Sequence, residues 1–435
     1  MFKYYLKQSF TLIKQHRFYT AVYILGTGFA VTMVMIMAIV YHIRTADIKP
    51  EINRGNIFIV DNTSARYKAF ENYMGGFLSY KTLKECYYSL QTPRLVAAGA
   101  SSYGSSSAFG NFYTSLPGNT TIYKSSVYLT DAAFFQMFNY SFITGRPYSE
   151  EEFKSGMHYA VISEKLAYKL FNTNDIINKT VLINNVEYTV IGVVKDVSPI
   201  FSYAYSEIWA PYSSFSSLMN PGEEPDITGR FKAFILADKK SDLPLIKEEI
   251  IRSVGKYNEA IADWEYIIRD YTILNVFQKE LIKLDRRTDF NKLILKYILV
   301  VFIFLLVPAI NLSGIISSQI QERIGELGIR KVFGATRSTL VNQVLMENML
   351  LTALGGIIGL ILSSLVVYLM KDLMFDNSTR DMALFSEISI SFSMLFNVRV
   401  FGYALGVCFI LNILSSYIPV WNAARRPIVQ SINDK

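Results

Sequence analysis

The sequence predicts an α-helical membrane protein with four transmembrane helices and one large α+β domain between the first and second helices. Three observations lead to this fold class. Hydrophobic residues make up 51% of the 435-residue chain and charged residues only 18%, a composition outside the usual range of soluble proteins. Four apolar runs are long enough to cross a bilayer. A long segment of mixed polarity, residues 43–296, separates the first two runs.

The four predicted spans are residues 18–42, 297–316, 349–370 and 400–420. Each holds about 20 mostly apolar residues, which as a helix cover a hydrocarbon core of about 30 Å. The first run could instead be a signal peptide, because basic residues precede it. Its apolar part is longer than a signal peptide requires, however, and YHIRTADIK follows without a small-residue cleavage motif. We therefore interpret it as an uncleaved anchor.

Charge orients the spans, because Lys and Arg are retained on the cytoplasmic side of a membrane. They gather in an amphipathic segment (residues 1–17), a linker (317–345) and a tail (421–435), which we place in the cytoplasm with both termini. The domain at 43–272 and the short acidic loop at 371–399 then face outward. This topology explains the net charge of +7 better than nucleic-acid binding does, since no basic face with interleaved aromatic residues is apparent.

Two glycine pairs predict close helix packing within the spans. Gly355 and Gly359, and again Gly402 and Gly406, have the spacing that lets helix backbones approach closely in lipid. A coincidental spacing on a lipid-facing surface is the alternative. No Asp, Glu or Arg lies deep within a predicted span, which argues against a proton- or ion-coupled carrier.

The outer domain has the short β-type runs and helical patterns of an α+β domain. A strand is predicted at 56–61, an amphipathic helix at 80–90, and a hairpin around Asn184-Asn185. Ser149 before three glutamates predicts a helix start. The serine-rich stretch at 100–111 predicts a flexible loop.

Apolar residues at near-helical spacing among basic ones predict a stalk helix over 273–296 that runs directly into the second span. An ordinary surface helix of the outer domain is the alternative interpretation.

No catalytic, metal or cofactor motif stands out. His16, His42 and His158 are too scattered for a metal cluster, and Cys86 and Cys408 cannot make a disulfide framework. No glycine-rich phosphate loop is present. We therefore expect no enzyme activity and no bound cofactor in this chain, and any ATP and Mg²⁺ would be held by a partner subunit.

The linker reads QERIGELGIRKVFGATRSTL over residues 321–340. On a helix, one face is lined by isoleucines and a leucine: Ile316, Ile320, Ile324 and Leu327. Another face carries charges: Glu322, Glu326 and Arg330. Gly334 can end this helix in a left-handed conformation, and Thr336 or Ser338 can cap the next one. A solvated connector and a docking element for a cytoplasmic partner are both consistent with this pattern.

ERIGELGIRKVFGATRSTLVNQVLMEN resembles the E-R-x-x-E-(I/L)-G-I-R-x-x-x-G-A signature of the MacB/FtsX-type permeases, the mechanotransmitting (type VII) class of ABC transporters. Three further segments are similar to stretches of that family in the same order. They are VYLTDAAFFQMFNYSFITGRPYS, AVISEKLAYKLF with NKTVLINNVEYTVIGVVKD, and YIPVWNAARRPIVQSI. Together these segments are spread over nearly the whole chain.

The resemblance implies four transmembrane helices per subunit, two permease subunits in a homo- or heterodimer, and a periplasmic domain of two subdomains, the inserted one near residues 121–225. It also implies that the linker contains a coupling helix that fits a groove of the ATPase. The signature positions are occupied by eight residues: Glu322, Arg323, Glu326, Gly328, Ile329, Arg330, Gly334 and Ala335. Lys331 and Phe333 stand where the family varies.

The resemblance further implies a stand-alone permease subunit of a bacterial inner membrane that transmits ATP-driven movement to its periplasmic domain. Because only residues 1–17 precede the first span, we expect a separate ATPase subunit. The implied function is export of peptides, antimicrobial amphiphiles or lipoproteins, with a periplasmic adaptor and an outer-membrane channel left open. The alternative is a signalling protein that regulates a periplasmic cell-wall hydrolase.

Overall fold

A computed structural model describes residues 17–69, 73–101, 111–219, 226–269, 272–276, 278–279, 290–322, 324–375 and 388–425. The chain divides into two compact units. The helical unit comprises residues 1–43, 287–374 and 390–435, and the outer unit comprises residues 44–286 and 375–389.

The helices are, in chain order, α1 (Arg17–Thr45), α2 (Tyr80–Cys86), α3 (Ala133–Met137), α4 (Glu150–Lys154), α5 (Glu164–Phe171), α6 (Ser216–Met219), α7 (Leu243–Ala260), α8 (Phe290–Glu322), α9 (Ile324–Val332), α10 (Arg337–Leu369), α11 (Lys371–Phe375), α12 (Phe392–Leu395) and α13 (Val398–Arg425). The strands are β1 (Ile57–Val60), β2 (Thr63–Tyr67), β3 (Tyr73–Leu78), β4 (Leu95–Ser101), β5 (Phe112–Ser115), β6 (Tyr123–Ser125), β7 (Val127–Thr130), β8 (Phe142–Gly145), β9 (Tyr159–Ser163), β10 (Thr180–Ile183), β11 (Val186–Val194), β12 (Ile208–Pro211), β13 (Thr228–Gly229), β14 (Lys232–Leu236), β15 (Trp264–Ile267) and β16 (Leu274–Asn275).

Three of the described helices are long and apolar enough to cross a membrane. Their apolar parts are Thr20–Thr45, Arg337–Leu369 and Val398–Asn422, which agree with the first, third and fourth predicted spans. The second predicted span lies inside α8, where the apolar stretch found among the described residues is Ile294–Ile303. A count of four spans therefore stays a prediction.

Twelve of the described strands of the outer unit form one sheet in the order β16-β1-β14-β4-β7-β12-β9-β11-β10-β5-β6, with β8 paired to β11. The β7–β12 and β9–β11 pairs are parallel, and the other pairs are antiparallel. A second sheet has the order β13-β3-β2-β15. Large buried aromatic side chains fill the interior: Phe134 stacks on Tyr128 with ring centroids 5.3 Å apart. This unit is the predicted α+β domain.

Several local predictions are confirmed. Asn184 and Asn185 between β10 and β11 have φ of 48° and 64°, the left-handed pair that a two-residue hairpin turn requires. Ser149 and Glu152 form a capping box at the start of α4. The predicted strand at 56–61 is β1, and the predicted helix at 80–90 is α2, which already ends at Cys86. Most of the serine-rich loop, residues 102–110, lies outside the described residues.

The stalk prediction is wrong at its start. Leu274 and Asn275 form a strand that pairs with Ile59 and Phe58 of β1, and Ile273, Leu274 and Val276 are buried in the outer unit. Ile273 and Leu274 therefore serve core burial and strand pairing rather than a helix face. Val276, Gln278 and Lys279 are helical, residues 277 and 280–289 lie outside the described chain, and α8 begins at Phe290.

The inserted subdomain near residues 121–225 stays a prediction, and strand pairing crosses its first boundary. Strand β5, which precedes it, pairs with β10 on the far side of it. Strand β4 pairs with β7, so that Gly99 lies opposite Thr130 and the main sheet continues across the boundary. Ladder hydrogen bonds between strands distant in sequence join the two predicted pieces, and residues 44–286 belong to one compact unit.

Candidate functional site

The linker forms a helix, a sharp break and a second helix, as predicted. Helix α9 ends at Val332, and Gly334 has φ of +88°, a left-handed conformation that glycine adopts without steric cost. The Ala335 N–H donates to the Arg330 carbonyl at 3.0 Å, which satisfies one of the last helical carbonyls. Thr336 then caps α10 by accepting from the Thr339 N–H at 3.2 Å. Of the two predicted caps, the structure uses Thr336.

The apolar face of the linker packs into the helical unit. Ile316, Ile320 and Ile324 are buried, which confirms three of the four predicted positions; the Leu327 side chain is not among those described. Ile316 and Ile320 belong to a core cluster to which α1, α8, α10 and α13 all contribute: Tyr23, Ala30, Leu340, Val341, Val344, Leu351 and Val420. Ala335 packs against the same cluster. The break between α9 and α10 is therefore anchored on the helix core.

The opposite edge of α9 is apolar and exposed. Ile329 and Val332 are more than half exposed, and Phe333 is 86% exposed. Three large apolar side chains at the end of one short helix form a surface of the kind that marks interaction sites. We call Ile329, Val332 and Phe333 the apolar edge.

A chain of hydrogen bonds leads from α9 into α10. The half-buried Arg330 donates from Nη1 to Gln343 Oε1 at 2.6 Å, and Gln343 Nε2 donates to Glu347 Oε1 at 3.0 Å. Gln343 and Glu347 are each only 5% exposed and lie one helical turn apart. We call these three residues the linker ladder.

A second polar cluster lies farther along α10. Asn412 of α13 donates to Tyr23 Oη of α1 at 2.9 Å and also to Thr352 Oγ1 of α10. Thr352 in turn donates to the carbonyl of Asn348 at 2.8 Å. This Asn412 node connects three helices through one buried amide.

The two predicted glycine pairs have different surroundings. A Cβ added at Gly355 would lie 2.3 Å from Thr27 Oγ1, and one at Gly359 would lie 2.7 Å from Val31 Cγ1 and 3.0 Å from the Gly28 carbonyl. Helices α1 and α10 are therefore in close contact at these glycines. Among the described residues, nothing lies within 4 Å of a Cβ added at Gly402 or Gly406.

The signature residues are only partly accounted for by the structure. Gly328 is buried, Ile329 is exposed, Arg330 bonds inward, and Gly334 and Ala335 make the break. The side chains of Glu322, Arg323 and Glu326 lie outside the described residues. The structure thus brings together the C-terminal half of the signature with α10.

Sequence reasoning missed Gln343, Glu347, Thr352 and Asn412. Glu347 stands two residues before the predicted third span, so a search for charge inside the spans did not reach it. The available signal was the spacing of Gln343 and Glu347, which stand four residues apart and therefore share one face of a helix; Thr352 and Asn412 carried no such signal.

The outer unit contains a buried carboxylate with complete hydrogen bonding. Asp131 Oδ2 accepts from Tyr88 Oη at 2.5 Å and from the Ala98 N–H at 2.8 Å, and Oδ1 accepts from the Phe134 N–H at 2.9 Å. Burial raises the pKa of the Asp131 carboxyl from 3.8 to about 7, while the three hydrogen bonds act in the opposite direction. Within the described part of the chain, no three His, Cys, Asp or Glu side chains are grouped to hold a metal ion.

Two protein families match the chain. Residues 20–253 match the MacB-like periplasmic core domain, and residues 298–428 match the FtsX-like permease C-terminal domain. The first match covers most of α1 and the outer unit as far as α7, and the second runs from within α8 to α13, including the linker.

Named relatives are similar over a large part of the chain. The macrolide export ATP-binding/permease protein MacB of Pasteurella multocida (strain Pm70) is 27% identical over 72% of this chain and 43% of its own length. An uncharacterized ABC transporter permease, YknZ of Bacillus subtilis (strain 168), is 27% identical over 50% of this chain and 51% of its own length. The pyoverdine export ATP-binding/permease protein PvdT of Pseudomonas syringae pv. syringae (strain B728a) is 25% identical over 70% of this chain and 42% of its own length. The chain thus spans about half or less of the length of these relatives.

Solved structures of outer domains are also similar. The extracellular domain of YknZ has a TM-score of 0.33 and 15% identity, and it matches 48% of this chain and all of that one. The periplasmic region of MacB from Actinobacillus actinomycetemcomitans has a TM-score of 0.36 and 14% identity, and it matches 53% of this chain and 94% of that one.

Proposed function

This chain belongs to the family of ABC transporter permeases that join a MacB-like periplasmic core domain to an FtsX-like C-terminal domain, and we propose on that premise that it transmits ATP-driven movement across the inner membrane. Movement would begin at a separate nucleotide-binding subunit that holds ATP and Mg²⁺. It would pass through the linker and the helical unit to the outer unit, which would act on a periplasmic client.

The apolar edge is the observation that carries this proposal. A helix that merely reconnects two spans has no physical reason to expose three large apolar side chains beside a sharp break, because exposed apolar area is unfavourable in water. A groove on a partner protein would cover this area. In the related permeases the linker is the ATPase-coupling segment, so we assign the nucleotide-binding subunit as the partner.

The remaining signature residues complete the proposed dock. By resemblance, Glu322, Arg323 and Glu326 would contribute charged groups to the same dock. A polar rim around an apolar centre is the usual anatomy of a specific interface. Gly334 and Ala335 would set the angle at which α9 enters the groove.

The proposed function is export or extrusion. Relatives are named for export of macrolides and of pyoverdine, and this chain covers less than half of those proteins. We therefore propose only the broader class of client, namely peptides, amphiphiles or lipoproteins on the outer side of the inner membrane. Homo- or heterodimerisation, a periplasmic adaptor and an outer-membrane channel belong to the same proposal.

Introducing a negative charge into the apolar edge tests the proposed docking to the ATPase. Val332→Asp and Phe333→Asp place a carboxylate in the proposed apolar contact, whereas Ser338→Asp adds the same charge at an exposed position on α10. An affinity-tagged chain is purified from native membranes, and co-purifying nucleotide-binding proteins are quantified by mass spectrometry. We expect at least about a tenfold loss of the ATPase in the edge variants, since a few buried anchors dominate binding, and wild-type recovery with Ser338→Asp.

Three results would contradict the proposal. Recovery of no nucleotide-binding protein with the wild-type chain, or equal recovery with all variants, would remove the docking role. A periplasmic cell-wall hydrolase that co-purifies, and whose activity follows ATP turnover, would replace export by signalling.

A further inference from the structure

The linker ladder contains a signature arginine that points away from the proposed partner. Arg330 is half-buried and donates to Gln343 of α10, whereas the apolar edge of the same helix is exposed. One helix therefore presents two functions on different sides. The partner-facing side is apolar, and Arg330 on the other side bonds inside the subunit.

The chemistry of the ladder fixes its direction. The Gln343 carbonyl oxygen accepts from a guanidinium and its amide nitrogen donates to the Glu347 carboxylate, so the amide lies between opposite charges and has only one favourable orientation. Hydrogen bonds to charged groups are stronger than neutral ones, and a buried polar amide that loses its partners is costly. The ladder is therefore a firm contact between α9 and α10.

This contact spans the break between α9 and α10. Between Arg330 and Gln343 the chain passes through Gly334, which has a positive φ and no described atom within 4 Å of a Cβ position. Ile324 and Ala335 already pack inward, and the ladder adds a direct side-chain contact across this glycine that further restrains rotation of α9. With the ladder, α9 and α10 behave as one bent lever.

We propose that Arg330 is a positioning residue that acts through Gln343 and Glu347, and that this ladder transfers movement of the coupling helix to α10 rather than binding the ATPase. The inference rests on the proposed function of the chain. The proposal also assigns roles to Gln343 and Glu347, which lie outside the signature positions of the family. From α10, the Asn412 node would carry the movement to α13 and α1.

Whether the linker ladder restrains α9 is tested on the full-length chain in nanodiscs without any partner. Hydrogen exchange of the α9 amides is compared in wild type, Gln343→Leu and Asn342→Leu. Gln343→Leu removes both ladder bonds at similar volume, and we expect α9 exchange to be at least about tenfold faster, because a charge-assisted bond that restrains local opening is lost. Asn342 is exposed on the same turn of α10, so its variant should exchange like wild type. An unchanged rate of α9 exchange in Gln343→Leu would show that the linker ladder does not restrain α9.

The role of the linker ladder in transferring movement is tested in the complex with the co-purified ATPase. Gln343→Leu and Arg330→Ala should retain the ATPase within about threefold of wild type. They should lose most of the ATP-dependent change in hydrogen exchange of the outer unit. Arg330→Lys, which keeps a cationic donor, should retain part of that response. If Arg330 and Gln343 act through the same ladder, the double variant Arg330→Ala/Gln343→Leu should lose no more of the ATP-dependent response than the more impaired single variant.

The outcomes separate the two proposals. An Arg330→Ala variant that loses the ATPase while Gln343→Leu retains it would place Arg330 at the partner surface and overturn its positioning role. A full ATP response in Gln343→Leu would do the same. Recovery of no ATPase with the wild-type chain would overturn the proposed function. Hydrogen exchange of α9 in the isolated chain would still decide whether the linker ladder restrains α9.

Discussion

The interior of the outer unit and the interior of the helical unit are packed in different ways. In the outer unit large side chains do the packing: Phe134 contacts Tyr128, Phe138 and Phe234 with ring centroids 4.5–5.8 Å apart, beside the fully bonded Asp131. In the helical unit the absence of side chains allows the packing, since Gly355 and Gly359 bring α10 against α1. A buried apolar cluster around Tyr23 and Leu340 adds to this packing, and the linker ladder and the Asn412 node add polar contacts.

The difference follows from the solvent that each unit displaces. A domain in water gains free energy in proportion to the apolar area it buries, so large aromatic side chains are favoured in its core. Between helices in lipid that driving force is absent, and close backbone approach with a few hydrogen bonds takes its place. Four experiments test this contrast.

The largest effect is expected for Asp131→Ala in the outer unit. The change leaves the Tyr88 hydroxyl and the Ala98 and Phe134 N–H groups without their acceptor, so we expect a loss of about 2–4 kcal/mol of unfolding free energy. Urea unfolding of the full chain in detergent, followed by tryptophan fluorescence, measures it. Asp131→Asn keeps an acceptor and should lose clearly less. Equal losses in the two variants would show that the hydrogen bonds are not what stabilises this site.

The same carboxyl predicts a pH dependence. Because its pKa in the folded chain, about 7, lies above its ordinary 3.8, the folded state holds more protons than the unfolded state between these values. The contribution of Asp131 to stability is therefore fully present below about pH 4 and is lost as pH rises toward 7. The difference in unfolding free energy between wild type and Asp131→Asn, measured from pH 4 to pH 8, should shift in favour of the variant as pH rises. A constant difference would contradict the raised pKa.

In the helical unit, an added methyl group should have opposite effects at the two glycine pairs. Gly359→Ala would force Val31 and the Gly28 carbonyl to move, and we expect a loss of about 1–3 kcal/mol. Gly406→Ala meets no described atom and should gain up to about 1 kcal/mol, because alanine is the better helix former. Thermal unfolding in detergent gives both values. A loss of similar size at Gly406 would reveal a contact on that face, and a second subunit would be the first candidate for it.

The smallest effect is expected for Asn412→Leu. It removes the hydrogen bonds to Tyr23 and Thr352, and because such interhelical bonds contribute about 0.6 kcal/mol each on average, we expect a total loss of about 1 kcal/mol. Tyr23→Phe removes one of the two bonds and should give the lesser loss by the same thermal measurement. A stabilised Asn412→Leu would mean that lipid-type packing, rather than the node, holds α13 in place.

Local features could be predicted wherever neighbouring residues decide them. The hairpin at Asn184-Asn185, the cap at Ser149 and the break at Gly334 depend on backbone preferences of one or two residues, and the structure has all three. The stalk could not be predicted in this way, because the spacing of Ile273, Leu274 and Phe277 suits a helix face equally well. Pairing of Leu274 with Ile59, more than two hundred residues away in sequence, decided in favour of a strand.

Likewise, the sequence could indicate that Gly355, Gly359, Gly402 and Gly406 permit close approach, but not which of them are approached. Glycine spacing is a property of one helix, whereas contact depends on what the neighbouring helix presents. Thr27, Gly28 and Val31 of α1 meet the first pair.

The sequence by itself therefore determined the family, three of the membrane-crossing helices, the α+β character of the outer unit and the helix–break–helix form of the linker. The family follows from the resemblance of sequence motifs, and the other features depend on composition, period or local turn chemistry. Only the tertiary structure decided that Arg330 bonds inward to Gln343, that the outer sheet runs unbroken past residue 121, and which glycines are packed. Each of these depends on contacts between segments far apart in the chain, which local patterns do not encode.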